Sequence, residues 1–336
     1  MKILMIGGSR FIGRHITEAL LQKGHTVTLF NRGQFAPELF PQCEKIHGDR
    51  TKDLHLLRGK KYDAVIDTCG YLPKHVSMLA QTLKPQTPFY VFISSKSVYA
   101  DQSQIGLTEE SAVAQWEHIH EDDQTNGEHY GPMKAACERS VLDVYGSNAS
   151  LIIRPGLIVG PHDYSDRFTY WPHRIARGGK VLSPVSPSER AQIIDARDLA
   201  LWIVKMTELR TAGIFQAGGA TTTIGEIFRA CRTESGSNAE FVWANAEFLK
   251  KNEVGEWVEL PLWIASPQYK GLTGSEDTKA QAHGLTYRPI SETIRDTLAW
   301  SDFRNLSPED WKAGLHPQKE KQVLEKWAAA QTYIQN

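Results

Sequence analysis

The chain has 336 residues, of which 41% are hydrophobic and 23% charged, and its net charge is −1 at neutral pH. This is the composition of a globular protein with a large core, and its charge balance gives no general attraction to nucleic acid or anionic membranes. No apolar run approaches the ~20 residues of a membrane span, and the N-terminus passes from one lysine into a strand rather than a signal peptide. The four cysteines, Cys43, Cys69, Cys137 and Cys231, form no Cys-x-x-Cys pair, which suits a reducing cytoplasm. At about 150 residues per domain, the length predicts two domains or one large α/β unit.

The chain opens with an apolar strand, Lys2–Ile6, that runs into Gly7-Gly8-Ser9-Arg10-Phe11-Ile12-Gly13, followed by a helix over Arg14–Leu21. Strand, glycine turn and helix together offer backbone N–H groups and a helix N-terminus to a pyrophosphate. Gly7 permits the tight turn and Gly13 permits close packing of the helix on the strand. The middle position, where such turns carry another glycine, is Arg10. Further strands are predicted at Thr26–Phe30, Lys45–Asp49, Tyr62–Asp67, Phe89–Ile93 and Leu151–Ile153, with helices around 73–83 and 131–145. Apolar strands alternating with helices predict a parallel sheet covered on both faces.

After Arg154-Pro155-Gly156 the texture changes. Residues 161–190 hold Pro161, Pro172, Pro184, Pro187 and Gly178-Gly179, and are expected to be rich in loops. Strand and helix resume over Ile193–Thr207. Thr223-Ile224-Gly225-Glu226 has capping-box spacing. Ser307-Pro308-Glu309-Asp310 reads as a helix start, and a polar helix closes the chain around Gln318–Ala330.

Ser94-Ser95 ends the fifth strand, at the carboxyl edge where open α/β sheets bind ligands. Thirty-five positions after Ser95 comes Tyr130-Gly131-Pro132-Met133-Lys134. Tyr130 and Lys134, four apart, share one helix face. Pro132 is tolerated only in a first turn, which puts Tyr130 at the helix mouth. An ammonium nearby is expected to lower the phenol pKa and make Tyr130 a general acid/base.

These pieces, with Gly48-Asp49, Ile93–Tyr99, Arg154–Pro161 and Ile194–Ala200, occur in an order that resembles the short-chain dehydrogenase/reductase superfamily, in its extended or atypical branch of NAD-dependent epimerase/dehydratase-like proteins. The resemblance covers about the first 220 residues. It implies a Rossmann doubly wound parallel sheet with helices on both faces and a smaller C-terminal α+β substrate domain. The division expected is 1–160 plus about 191–222 for the NAD(P)-binding domain, 161–190 plus about 223–305 for the substrate domain, and 306–336 as a helical extension. It implies Ser95, Tyr130 and Lys134 as catalytic residues, with Ser94 and Ser97 the weaker serines. It implies cofactor contacts from Gly7, Ser9, Arg10, Phe11, Ile12, Gly13, Asn31, Arg32, Asp49, Thr68, Cys69, Gly70, Lys134 and Pro155.

Four departures matter. The turn has Arg10 in place of glycine. The second strand ends in Asn31-Arg32, without the acid that would hold the ribose of NAD, so Arg10 and Arg32 favour the 2′-phosphate of NADP(H), with NAD(H) as the alternative. Residues 101–129 carry eight acids and no Lys or Arg, read as a solvated loop or an acidic lid. The Arg by which extended members bind nucleotide sugars is replaced by Ala191, beside Arg190, and a one-residue slip turns a strand side chain to the other face. Substrate contacts are expected from the basic, aromatic stretch holding Arg167, Tyr170, Trp171 and Arg174.

The expected function is hydride transfer between nicotinamide and a carbonyl or alcohol carbon of a small or sugar-like substrate, in a reductase or sugar epimerase, as a monomer or homodimer. Dehydratases of the family that the chain resembles place an Asp-Glu pair after the catalytic Ser or Thr; here Lys96-Ser97 follows Ser95, which disfavours dehydration. The alternative is a cofactor-binding regulator or RNA-binding member without catalysis, because the glycine turn is similar to that of chloroplast stem-loop-binding proteins. The net charge and the single short basic stretch speak against nucleic acid. His118-x-His120 lacks the spacing and third ligand of a metal site, so no metal is expected.

Overall fold

The computed structural model describes residues 1–116 and 127–335. His118, His120 and the acids Glu117, Glu121, Asp122 and Asp123 lie outside them. The first half alternates strand and helix: β1 (Lys2–Ile6), α1 (Phe11–Gln22), β2 (Thr26–Asn31), β3 (Glu44–His47), β4 (Ala64–Asp67), α2 (Pro73–Leu83), β5 (Tyr90–Ile93), α3 (Tyr130–Tyr145) and β6 (Ser150–Pro155). There follow β7 (Leu157–Val159), α4 (Tyr170–Ala176), β8 (Lys180–Pro184), β9 (Arg190–Asp195), α5 (Ala196–Glu208), β10 (Gly213–Ala217), β11 (Ala220–Thr223), α6 (Ile224–Ser235), β12 (Glu240–Ala244), α7 (Ala246–Lys251), α8 (Thr278–Ala282), α9 (Ile290–Arg304) and α10 (Pro317–Gln335).

Seven parallel strands form the main sheet in the order β10-β6-β5-β4-β1-β2-β3. This is the doubly wound order, and the strand sequence reverses between β1 and β4, where such sheets open a crevice at their carboxyl ends. The central strands β1, β4 and β5 are apolar on both faces because helices cover both, whereas the edge strand β3 is polar and partly exposed. Ile3 and Met5 face the core under α1 and α5, and Leu4 and Ile6 face the core under α2 and α3. The seventh strand, β10, goes beyond the six expected. Its Gln216 interrupts the apolar pattern, yet it is buried and donates to the carbonyls of Leu107 and Glu276.

A second core gathers Trp171, Val181, Leu182, Phe228, Leu249, Trp263, Ile294 and Val323 from α4, β8, α6, α7, α9, α10 and the segment after α7. Here α4 and β8 stand where the prolines suggested loop. Pro172 sits in the first turn of α4 and Pro184 ends β8, positions at which proline removes no needed hydrogen bond. Ser307–Asp310 starts only one 3₁₀ turn, Pro308–Asp310. The Thr223–Glu226 capping box forms as expected. Among the described residues no helix is long and apolar enough to cross a membrane.

Candidate active site

The glycine turn lies at the carboxyl end of β1, at the reversal of strand order. Gly7 adopts φ +99°, and a Cβ there would stand 2.8 Å from Thr68 Oγ1. A Cβ on Gly13 would meet the Gly8 backbone at 3.0 Å, which is why α1 can press onto the turn. No side chain caps α1, and no acid stands in its first turn. Its first amides are thus presented to an anion, and the turn fits a pyrophosphate.

Around this cradle the expected residues take different parts. Asn31 braces it: its side-chain amide donates to the Gly7 carbonyl at 2.9 Å and accepts from the Gly33 amide at 2.9 Å. Asp49 accepts from the Thr51 amide and hydroxyl, which hold its carboxyl below the usual range, with the exposed Arg32 adding a smaller push. Arg32 is the arginine that acts on Asp49, whereas the Arg10 guanidinium lies over the rings of Tyr164 and Phe35, at 4.2 and 4.8 Å from their centres. Thr68 donates to the Ile6 carbonyl at the end of β1. Pro155 closes β6 at the same sheet edge. Ser9 and Ile12 complete the turn and the first helical residues, half-buried.

The Ser95, Tyr130 and Lys134 side chains come together beside it. Ser95 stands in extended backbone after β5 and its hydroxyl caps the turn, accepting from the Ser97 amide at 3.1 Å. Tyr130 is the first residue of α3, and its phenol lies close enough to Ser95 for that hydroxyl to act on it. Lys134, one turn on, is 3% exposed and donates to the carbonyls of Gly70 and Ile93 at 2.8 and 2.7 Å. Its ammonium also lies 4.2 Å from the centre of the Phe92 ring.

The expectation of a lowered phenol pKa is corrected here. Burial raises Tyr130, the nearby Ser95 hydroxyl opposes that rise, and Lys134 is turned to two carbonyls and an aromatic face instead. Burial likewise lowers the Lys134 ammonium.

Beneath the site lies a buried layer that the sequence reading did not single out. Glu138, one further turn along the Tyr130–Lys134 face, forms a two-pronged ion pair with Arg154 of β6 and accepts from Ser94 Oγ at 2.5 Å. Ser94 is thus structural, as its place beside Ser95 allowed. Asp67 at the end of β4 takes both Arg50 nitrogens, at 3.0 and 2.9 Å, and the Tyr90 hydroxyl at 2.8 Å. Cys69 packs against the same group, and burial pushes its thiol up to about 11.

Lys96, read only as a residue where dehydratases carry an acid, proves to be a tie. It is 2% exposed and donates to Gln192 Oε1 of β9 and to the Leu272 carbonyl, both at 2.7 Å. Gln192 in turn binds Ser275 and the Gly219 carbonyl. Segment 271–276, the end of a 3₁₀ turn (Pro267–Thr273) and the residues after it, also pairs backbone to backbone with Gln102, Gly106 and Leu107. Burial brings the Lys96 ammonium down to about 7.

Three of the four expected substrate contacts belong to the core. Trp171 is fully buried, packs on Phe228 and donates to the Pro261 carbonyl. Tyr170 is buried beside it. Arg174 is buried and pairs with Glu320 of α10 at 2.6 Å. The aromatic stripe of α4 faces inward because it is the inner face of a short helix. Arg167 alone faces the site: it lies 5.2 Å from the centre of the Trp257 ring, and its charge acts on the Tyr130 phenol. Ala191 is buried in the second core, whereas Arg190 is exposed.

Residues 3–77 match the family model described as the NAD dependent epimerase/dehydratase family. The chain is 28% identical over 254 residues to the chloroplast stem-loop binding protein of 41 kDa b of Arabidopsis thaliana, covering 70% of this chain and 63% of that relative. It is 24% identical over 355 aligned positions to a UDP-glucose 4-epimerase of Neisseria meningitidis, covering 89% and 96%. In fold it is similar to a UDP-N-acetylglucosamine 4-epimerase from Methanobrevibacter ruminantium in complex with UDP-N-acetylmuramic acid (TM-score 0.68, 17% identity, 90% and 98% covered). It is also similar to a UDP-glucuronic acid 4-epimerase from Bacillus cereus in complex with NAD (TM-score 0.66, 16% identity, 91% and 100% covered). Residues 3–77 thus carry the signature of the NAD-dependent epimerase/dehydratase family, and the whole chain shares the doubly wound fold of the epimerases it resembles.

Proposed function

We propose that the protein is a nicotinamide-dependent sugar epimerase. The observation that carries this reading is the close contact of the start of α3 with the serine turn, which sets the Tyr130 phenol beside Ser95 and next to an uncapped glycine turn. When bound in the turn, the nicotinamide dinucleotide supplies a site that takes up a hydride and gives it back. Tyr130 then removes the proton of the substrate hydroxyl as the carbon is oxidised, and returns it to the oxygen when the carbon is reduced on its other face. Ser95 holds that oxygen. Lys134 spends two of its three donors on Gly70 and Ile93, which leaves one to fix the nicotinamide ribose. Since hydride and proton both return, no cofactor is consumed.

The epimerases named above carry the names of UDP-sugars, and we extend that substrate class to this chain, with Arg167, whose charge reaches Tyr130 and which lies over Trp257, as a contact. Ala191 removes one expected contact, so recognition of the nucleotide rests on other residues. For the cofactor we take NAD. A similar fold holds it, and of the two arginines only Arg32 acts on Asp49 at the end of the cradle, so the NADP preference expected from the sequence rests on Arg32. The division into a cofactor domain, a substrate domain and a C-terminal extension is carried in the same reading.

Incubation with NAD and UDP-hexoses, followed by product analysis, tests this reading. Interconversion that is lost in Tyr130→Phe, with NAD binding kept, supports it; turnover equal to wild type in that variant overturns it. The likeness to a stem-loop binding protein favours a second reading, as an RNA binder. A salt-dependent gel shift with a stem-loop RNA, in a protein without turnover, would replace the first.

A further inference from the structure

We propose that Arg10 and Tyr164 form a latch across the glycine turn that sets how long the dinucleotide stays bound. The inference rests on the reading of that turn as the cofactor site. Arg10 grows from the turn itself. Its guanidinium lies between the Phe35 ring, in the loop after β2, and the Tyr164 ring, in the segment after β7. The Tyr164 ring also meets Phe11 edge-on, with centres 6.4 Å apart. One side chain therefore joins the two walls of the cradle. A guanidinium stacked through its faces keeps its N–H edges for an anion, so the latch and a pyrophosphate do not compete for it.

The sandwich is not core packing. Phe35 is 49% exposed and Tyr164 50% exposed, yet the segment that carries Tyr164 is bolted down at both ends. Before it, His15 Nε2 lies 2.9 Å from the Pro161 carbonyl, and His162 packs on His15 and Trp300. After it, buried Asp166 pairs with Arg304 at 2.5 Å and accepts from the Lys312 amide at 3.0 Å. His162 and Asp166 hold φ of +70° and +60°, and Phe11 holds +36°. Three non-glycine residues in the left-handed region around one contact mark a segment whose shape is imposed by its anchors. The Tyr164 phenol also sits close enough to Tyr71 and Tyr130 to push both phenols up. The latch thus spans the distance from the turn to the acid/base.

A latch of this kind suits an enzyme that regenerates its cofactor in every turnover, because exchange is then unnecessary. The test is the dissociation rate of NADH from the full-length protein, followed by stopped-flow fluorescence after a chase with excess NAD. Tyr164→Ala and Arg10→Ala should each speed release about tenfold, the size of a lost cation–π contact at a partly desolvated site. Arg10→Lys should fall between, and the double variant should release no faster than the faster single one. Thermal melts show whether each variant folds, and Phe35→Leu, at an exposed ring, probes the same stack from the other wall. Release unchanged in the Tyr164 and Arg10 variants, or effects that simply add, overturns the latch while leaving the cofactor site standing. Failure of the wild-type protein to bind NADH at all overturns the site, and the latch with it.

Discussion

A Cβ on Gly131 would stand 2.1 Å from the Ser97 carbonyl oxygen, so α3 begins in direct contact with the serine turn. That contact is what brings Tyr130 beside Ser95. Gly131→Ala must push the two elements apart. We expect a loss of activity of more than about tenfold, since small displacements of positioned groups are costly, with stability reduced by about 1–3 kcal/mol. Turnover assays beside thermal melts check this; an alanine variant with full activity would show that the contact does not set the geometry.

Tyr130 is half-buried, and desolvation holds its phenol above the usual tyrosine value. Oxidation of the substrate hydroxyl needs the phenolate, whose fraction grows as pH rises toward that pKa. The rate of this step should therefore climb throughout the neutral and mildly alkaline range, and Tyr130→Phe should lower kcat by about 10²–10⁴ and abolish the climb. A profile that levels off near pH 7 would mean that the bound state tunes the phenol down.

Glu138 and Arg154 are both about 3% exposed, and each depends on the other for its charge. Glu138→Ala leaves a buried guanidinium without its carboxylate and should cost about 3–5 kcal/mol in chemical denaturation. Replacing both residues with apolar ones of similar volume should cost far less. Equal losses in the single and double variants would contradict the account.

Asp163 is 1% exposed, accepts from the Ser165 amide through one oxygen, and keeps the other without a hydrogen bond among the described residues. Burial raises its carboxyl to about 6. The folded state then holds a proton that the unfolded chain has already released between about pH 4 and 6, so stability from this group falls as pH rises through that window. Above it the charged form costs on the order of 3 kcal/mol. Asp163→Asn should raise the melting temperature at pH 7 and leave it nearly unchanged at pH 4. His162 next to it, lowered to about 4, changes stability in the opposite sense on acidification, so the comparison of the two proteins, not the wild-type curve, is the measurement.

Arg32 is exposed near Asp49, and Arg10 is stacked elsewhere. NAD should bind at least as tightly as NADP in fluorescence titrations. Arg32→Ala should weaken NADP relative to NAD, whereas Arg10→Gly should leave that ratio unchanged. A ratio governed by Arg10 would restore the convergence of the two arginines expected from the sequence.

The sheet, its glycine turn and the Tyr–Lys helix were legible because each is a local pattern. Lys2–Ile6 is apolar on both faces, Gly7–Gly13 has fixed spacing, and Pro132 forces a helix start. What lay hidden depends on partners far along the chain. Trp171 and Arg174 looked like a ligand surface because nothing near them discloses Phe228 or Glu320, some 57 and 146 positions away. Lys96 looked like a missing acid because Gln192 and Leu272 receive it from 96 and 176 positions away. Glu138 did carry a local signal, since it continues the Tyr130–Lys134 spacing by one more turn. The phenol pKa was misjudged because spacing gives proximity on a helix but not the direction in which an ammonium is spent.

The tie from Lys96 to segment 271–276 also orders events on the ribosome. The seventh strand of the main sheet is complete at Ala217, so the glycine turn can form while more than a hundred residues remain to be made. The turn that carries Ser95 gains its last braces only when Leu272 and Ser275 have emerged. A nascent or truncated chain ending between those points has its glycine turn on the sheet but an unfinished serine, and it also lacks the Arg304 and Lys312 anchors of the Tyr164 wall, so neither chemistry nor a closed cradle is expected of it.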